Sequence, residues 1–170
     1  MCKLYFKYGV MGSSKSANAL MTKYNYEQKG FNVLLLKPSI DTRDGDVVSS
    51  RIGLVSKCHM FDKELNLYDF YKTQNAIKKV DVVIVDEAQF LSERQVNQLM
   101  DVVIDLDIPV MCFGLRTDFQ GNSFPGSRRL LDIAHELSEV KTICECGHKA
   151  MFNVRLINGK VQTEGDSVAI

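Results

Sequence analysis

Gly9-Val10-Met11-Gly12-Ser13-Ser14-Lys15-Ser16 is the stretch on which the reading of the fold turns. It follows an apolar run, Leu4 to Tyr8, and leads into a segment with helical spacing from Ser16 to about Lys29, stopped at Gly30. Strand, tight Gly/Ser turn and helix in that order build a phosphate cradle, because backbone N–H groups ring the oxygens and a helix N-terminus faces the anion. The spacing fits the phosphate-loop pattern, with Ser14 where the second glycine belongs. Serine is the smallest replacement that carries a Cβ, so it survives where the backbone approach is close but short of the steric limit. In this pattern Lys15 reaches the outer phosphates and the Ser16 hydroxyl ligates Mg²⁺. The bland alternative is a Gly/Ser turn that holds a lysine by chance.

A second stretch answers that alternative. Val82-Val83-Ile84-Val85 is an apolar strand running straight into Asp86-Glu87. Parallel strands deliver functional residues at their carboxyl ends, beside the phosphate loop. Asp86 is therefore placed to hold Mg²⁺ opposite Ser16, and Glu87 is left to act on an acceptor. Further apolar strands are expected at Phe31 to Leu36 and Ile108 to Phe113, with helices at Leu65 to Lys79, Ser92 to Leu106 and around Arg129 to Leu137. Ser92 with Gln95 three residues on makes a capping box. The segments Ser39 to Ser56 and Arg116 to Ser127 read as loops. Strands separated by helices predict an α/β fold, a P-loop (RecA-like) parallel sheet with helices on both faces.

From Val140 the pattern changes to short β-like runs, Val140 to Ile143, Met151 to Ile157 and Lys160 to Thr163, with Asn158-Gly159 as a hairpin turn. Residues 1–139 are thus read as the nucleotide-binding kinase domain and 140–170 as a small zinc-ribbon-like β appendage. Cys144 and Cys146 stand one residue apart beside Gly147 and His148, and a close pair in a reducing compartment favours metal over disulfide. Zinc knuckles normally use Cys-x₂-Cys, and structural Zn²⁺ wants about four protein ligands, more than this stretch supplies. Cys2, Cys58 and Cys112 are expected to be small buried hydrophobes.

The 170 residues are 45% hydrophobic and 25% charged, and 21 Lys and Arg offset 21 Asp and Glu. Net charge of zero argues against a nucleic-acid or anionic-membrane partner. There is no apolar run of the roughly 20 residues a membrane helix needs, and Met1 to Phe6 is too short for a secretory signal. A cytoplasmic protein is expected.

Asp86-Glu87-Ala88-Gln89-Phe90 resembles the matching motif of the cytosolic-type (type II) thymidine kinases. So do Met11 in the first loop, Asp41-Thr42-Arg43, the Leu115 to Gln120 stretch with Phe124 beyond, and Cys146-Gly147 with Ala150. The pieces fall in that family's order and span essentially the whole chain. The resemblance implies an ATP:thymidine 5′-phosphotransferase of nucleoside salvage with ATP, Mg²⁺ and structural Zn²⁺. It implies Glu87 as catalytic base, with Gly9 to Ser16 and Asp86 to Gln89 around the nucleotide. Met11, Phe90, Leu115, Phe119 and Phe124 would line the nucleoside pocket, with Asp41 and Arg43 near the phosphates on the acceptor side. For Arg43 a solvated loop charge is an equal alternative. The resemblance further implies two more zinc ligands and an aromatic contact to the nucleoside beyond Ile170, and a homotetramer. A P-loop ATPase acting on nucleic acid shares the core motifs; zero net charge and the lack of a basic stripe stand against it. A zinc-ribbon interaction protein would explain the tail alone.

Overall fold

A computed structural model describes residues 1–41, 44–142 and 147–162. The centre is a sheet of six strands, all parallel: β1 (Leu4–Tyr8), β2 (Val33–Pro38), β5 (His59–Phe61), β6 (Val82–Val85), β7 (Val110–Gly114) and β8 (Glu136–Glu139), in the order β5-β2-β6-β7-β1-β8. Successive residues of the inner strands point to opposite faces and both faces are covered, so these strands read as unbroken apolar runs. Leu34, Leu36, Val83 and Val85 pack on one side against α2 (Leu67–Ile77), α3 (Glu93–Leu106) and α4 (Pro125–Ile133). Leu35, Val82, Ile84, Met111 and Phe113 pack on the other against Ala19 and Leu20 of α1 (Lys15–Gln28).

The helix ends follow local chemistry. Ser92 and Gln95 form the full capping box at the start of α3, and buried Gln95 also donates to the Asp62 and Leu65 carbonyls. Pro125 opens α4, where its missing N–H costs nothing. That helix therefore begins four residues before the Arg129 start expected from the sequence and ends at Ile133, short of Leu137.

Two stretches depart further from expectation. The segment Ser39 to Ser56, read as a loop, contains β3 (Val47–Ser49), which pairs antiparallel with β4 (Val55–Lys57). Glu136 and Leu137, expected to end a helix, lie instead in the outer strand β8 (Glu136–Glu139) beside β1. The strand expected from Val140 is absent at Val140 to Thr142, because the pairing that makes a strand here ends at Glu139. In the tail, β9 (Arg155–Ile157) and β10 (Lys160–Gln162) form the expected hairpin across Asn158 (φ 53°) and Gly159 (φ 78°).

Candidate active site

The phosphate loop leaves the end of β1 two strands away from β6, with β7 between them. At Gly9 the chain is too close to its surroundings for a side chain: a Cβ there would stand 2.5 Å from Ser13 Oγ and 2.5 Å from the Val140 carbonyl oxygen. Ser14, in the place of the pattern's second glycine, has φ 62° and ψ 30° and so takes the left-handed conformation that glycine adopts freely. What the pattern demands at this position is backbone handedness, and serine meets it at a cost of about 1–2 kcal/mol. Its carbonyl starts α1 by accepting from Asn18 N–H at 2.9 Å.

Lys15 folds back over the loop, its Nζ donating to the Val10 carbonyl at 2.8 Å and to Ser13 Oγ at 3.2 Å. Burial lowers its pKa, the charges of Glu87 and Asp86 pull it back up, and Arg51 pushes it down again. Ser16 Oγ donates to Asp86 Oδ2 at 2.7 Å, joining loop and β6 across the intervening strand. Asp86 is 4% exposed. Its carboxyl is pushed up to about 6, by burial first and by the Glu87 charge second, with the Ser16 hydrogen bond opposing both. A buried carboxylate beside a hydroxyl, with a second acid next to it, is a donor set suited to a hard divalent cation. Among the described residues no group of three His, Cys, Asp or Glu gathers as a metal site.

Glu87 follows β6 in a left-handed conformation, φ 51° and ψ 42°, and opens a 3-10 turn at Ala88–Phe90. A bulky acid in that region is strained, and such strain concentrates where a side chain must be aimed. Gln89, 2% exposed, holds it: Nε2 donates to Glu87 Oε2 while Oε1 accepts from Leu115 N–H at the end of β7.

These groups border a cleft of about 210 Å³. Of the residues expected from the sequence, Met11, Gly12, Ser14, Lys15, Ser16, Glu87, Gln89, Phe90, Leu115 and Phe124 line it. Phe90 and Phe124 meet edge to face, centroids 5.6 Å apart, as an apolar part of the wall of the cleft that Lys15 also lines. Gly9 and Val10 border a smaller neighbouring hollow, while Ser13, Asp86 and Ala88 are buried behind the loop and β6. Asp41 is 8% exposed and does not line the cleft. Phe119 lies under the Arg155 guanidinium, 4.0 Å from its ring centre, rather than in the cleft wall. Arg43, Cys144 and Cys146 lie outside the described residues.

Two contacts had no signal in the sequence. Asn153 Oδ1 accepts from Met11 N–H at 2.8 Å, tying the tail to the phosphate loop across 142 residues. Asp44, Ser49, Ser50, Arg51 and Ile52, from the stretch read as a loop, supply the cleft's remaining side. A run of polar residues did carry charge there, but only the β3–β4 pairing brings it to the site.

A phosphate loop on one strand of a parallel α/β sheet, facing an acidic strand end, defines the class: a P-loop nucleotide-binding protein. Residues 2–168 match the thymidine kinase family, and the chain belongs to that family. It is 49% identical to a thymidine kinase of Rhodopirellula baltica over 172 aligned residues, covering 100% of this chain and 82% of the relative. It is 48% identical to a thymidine kinase of Shewanella oneidensis, with 100% and 90% covered. Against a thymidine kinase of Enterobacteria phage T4 the identity is 44%, with 100% and 89% covered.

Proposed function

We propose that this chain transfers the γ-phosphoryl group of ATP to the 5′-hydroxyl of thymidine, giving thymidine 5′-monophosphate and ADP. The observation that carries the reading is that Lys15, Ser16 and Glu87 border one cleft whose other wall is the Phe90–Phe124 pair. Phosphates belong at the charged end, and a flat, weakly polar base belongs against the aromatic wall. Water is a poor competitor in such a cleft once the acceptor fills it.

The roles divide by position. Glu87 is the general base, taking the proton from the 5′-hydroxyl as that oxygen attacks, and Gln89 fixes its carboxylate. Lys15 leaves the Val10 carbonyl for the transferring phosphate, and the loop N–H groups from Gly9 to Ser16 hold the β-phosphate. Ser16 and Asp86 are the groups that would hold Mg²⁺, which neutralises phosphate charge when bound. Met11, Phe90, Leu115 and Phe124 contact the nucleoside, Phe119 and Asp41 approach it only if their segments draw in over substrate, and Arg43 serves the phosphates on the acceptor side. Cys144 and Cys146 are two ligands of a structural Zn²⁺ ion. The active form is a cytoplasmic homotetramer.

Thermal stabilisation separates this reading from an ATPase acting on nucleic acid. With ADP and Mg²⁺ present, thymidine should raise the melting temperature and single-stranded DNA should not. The reverse pattern would abandon the nucleoside. Elemental analysis with and without Cys144→Ser and Cys146→Ser tests the zinc, and light scattering tests the tetramer.

A further inference from the structure

The β3–β4 hairpin brings an arginine to the cleft that the roles above leave without a task. The turn is closed on itself: Ser50 N–H donates to the Leu54 carbonyl at 2.8 Å, Gly53 N–H to the Ser50 carbonyl at 3.1 Å, and Leu54 N–H to Ser50 Oγ at 3.0 Å. Arg51 sits at its tip. The base of the hairpin is fastened by Lys37, 1% exposed, whose Nζ donates to the Val47 carbonyl at 2.8 Å. Cys58 N–H donates to the Asp46 carbonyl at 2.9 Å on the other arm. Val48, 2% exposed, packs with Ala19 and Leu20 of the helix that starts in the phosphate loop. A three-residue strand pair is marginal alone, so this anchoring fixes where its tip lies.

The tip lies on the phosphate loop. Arg51 Nη1 is 3.8 Å from the point where a Cβ on Gly12 would stand, and Arg51 lines the same cleft as Lys15, Ser16 and Glu87. Two cations facing one small space repel each other when it is empty, and a polyanion between them turns that repulsion into a clamp. Lys15 comes from the phosphate loop and Arg51 from the hairpin.

We propose that Arg51 is a catalytic residue that binds the γ-phosphoryl group as it passes from ADP to the acceptor, resting on the thymidine kinase reading above. In that step the bond from the 5′-oxygen to the γ-phosphorus forms and the bond to the β,γ-bridging oxygen breaks. The hydroxyl proton goes to Glu87, and the electron pair stays on ADP. Charge spreads over the three equatorial oxygens and builds on the bridging oxygen. Lys15 covers one side of that distribution, and the planar guanidinium covers the other with several N–H donors in a fixed fork. The gain is realised in the transition state, so Arg51 acts on kcat and little on substrate affinity.

The test uses the full chain with Arg51→Ala and Arg51→Lys, reading kcat, both KM values, and thermal stabilisation by ADP, Mg²⁺ and thymidine with and without aluminium fluoride. Arg51→Ala should lower kcat by about 10²–10³-fold and leave the thymidine KM within about threefold. It should also lose the extra stabilisation that aluminium fluoride gives the parent, while ADP alone still binds. Arg51→Lys should recover only a minor part of kcat. A kcat within about threefold of the parent, or a loss confined to a raised ATP KM, overturns the assignment. If the parent itself forms no thymidine monophosphate, the reaction class has failed rather than the arginine.

Discussion

The phosphate loop and the β3–β4 hairpin border one cleft, and they are built on opposite terms. The loop springs from β1, an inner strand of a six-stranded sheet in which Phe6, Val82, Val85 and Cys112 are wholly buried. The hairpin has two strands of three residues each, with only Val48 buried, and it is fastened to β2 through the Lys37 side chain. Rigid backbone suits the side that must present N–H groups at fixed distance to a phosphate. A short arm with little core of its own, pinned at its base, suits the side that must let nucleotide in. The contrast is between a cradle whose cost lies in strain and buried charge and an arm that has little core and depends on a few contacts at its base.

Breaking the rigid side should have the largest effect. Lys15→Ala should abolish the thermal stabilisation given by ADP and Mg²⁺ and lower turnover by about 10³-fold. A variant still protected by nucleotide as well as the parent would dissolve the phosphate-loop assignment. Asp86→Asn should split function from stability: turnover falls by about 10²-fold or more, while the nucleotide-free protein melts higher because a buried charge is gone. The sign follows from a carboxyl held at about 6 against an ordinary 3.8. The folded chain binds more protons than the unfolded chain between those values, so the stability of the nucleotide-free protein falls as pH rises through that window. Binding of ADP with Mg²⁺ should strengthen over the same window, since the cation wants the ionised carboxylate. Melting curves and titrations from pH 4 to 8 check both slopes, and Asp86→Asn should flatten them.

Changes that loosen the hairpin's anchorage and leave Arg51 in place should be smaller and should show first in a different observable. Lys37→Met keeps the buried volume but leaves the Val47 carbonyl without its donor, at a cost of about 1–3 kcal/mol. Amide exchange should quicken across Val47 to Lys57 while the loop from Gly9 to Ser16 keeps its protection, and turnover should fall about tenfold. Uniform loosening of both sides would erase the distinction. Smallest of all, Ser14→Gly relieves a left-handed serine but frees the unfolded chain, a net gain below about 1 kcal/mol. Urea denaturation should detect it, and a loss of stability would mean the serine hydroxyl contributes more than its strained backbone costs.

The same contrast decides what was legible in the sequence. Gly9 to Ser16 and Val82 to Glu87 could be read because each is a local pattern: a spacing of small residues with a lysine, and an apolar run ending in acids. The central strands followed from their apolar continuity. Glu136 to Glu139 could not be read, because its side chains face solvent and only backbone pairing with β1 makes it a strand. The β3–β4 hairpin was hidden among Asp, Ser and Gly residues that resemble any polar loop, and with it the place of Arg51. Asn153 meets Met11 across 142 residues, a proximity no local pattern encodes. Ser14 was visible as a departure from the glycine pattern, but its left-handed φ supplies the reason the departure is tolerated.

The central claim is that Glu87, strained at the end of β6 and held by Gln89, takes the proton from a nucleoside hydroxyl poised before the phosphate loop. Transfer of labelled γ-phosphate from ATP to thymidine, compared between the parent and Glu87→Gln at saturating substrates, tests it most directly. Removal of a general base costs about 10²–10⁴-fold, so label in thymidine monophosphate should form that much more slowly while thymidine affinity is nearly unchanged. Near-parental transfer by Glu87→Gln, or label released by the parent only as free phosphate, would contradict it.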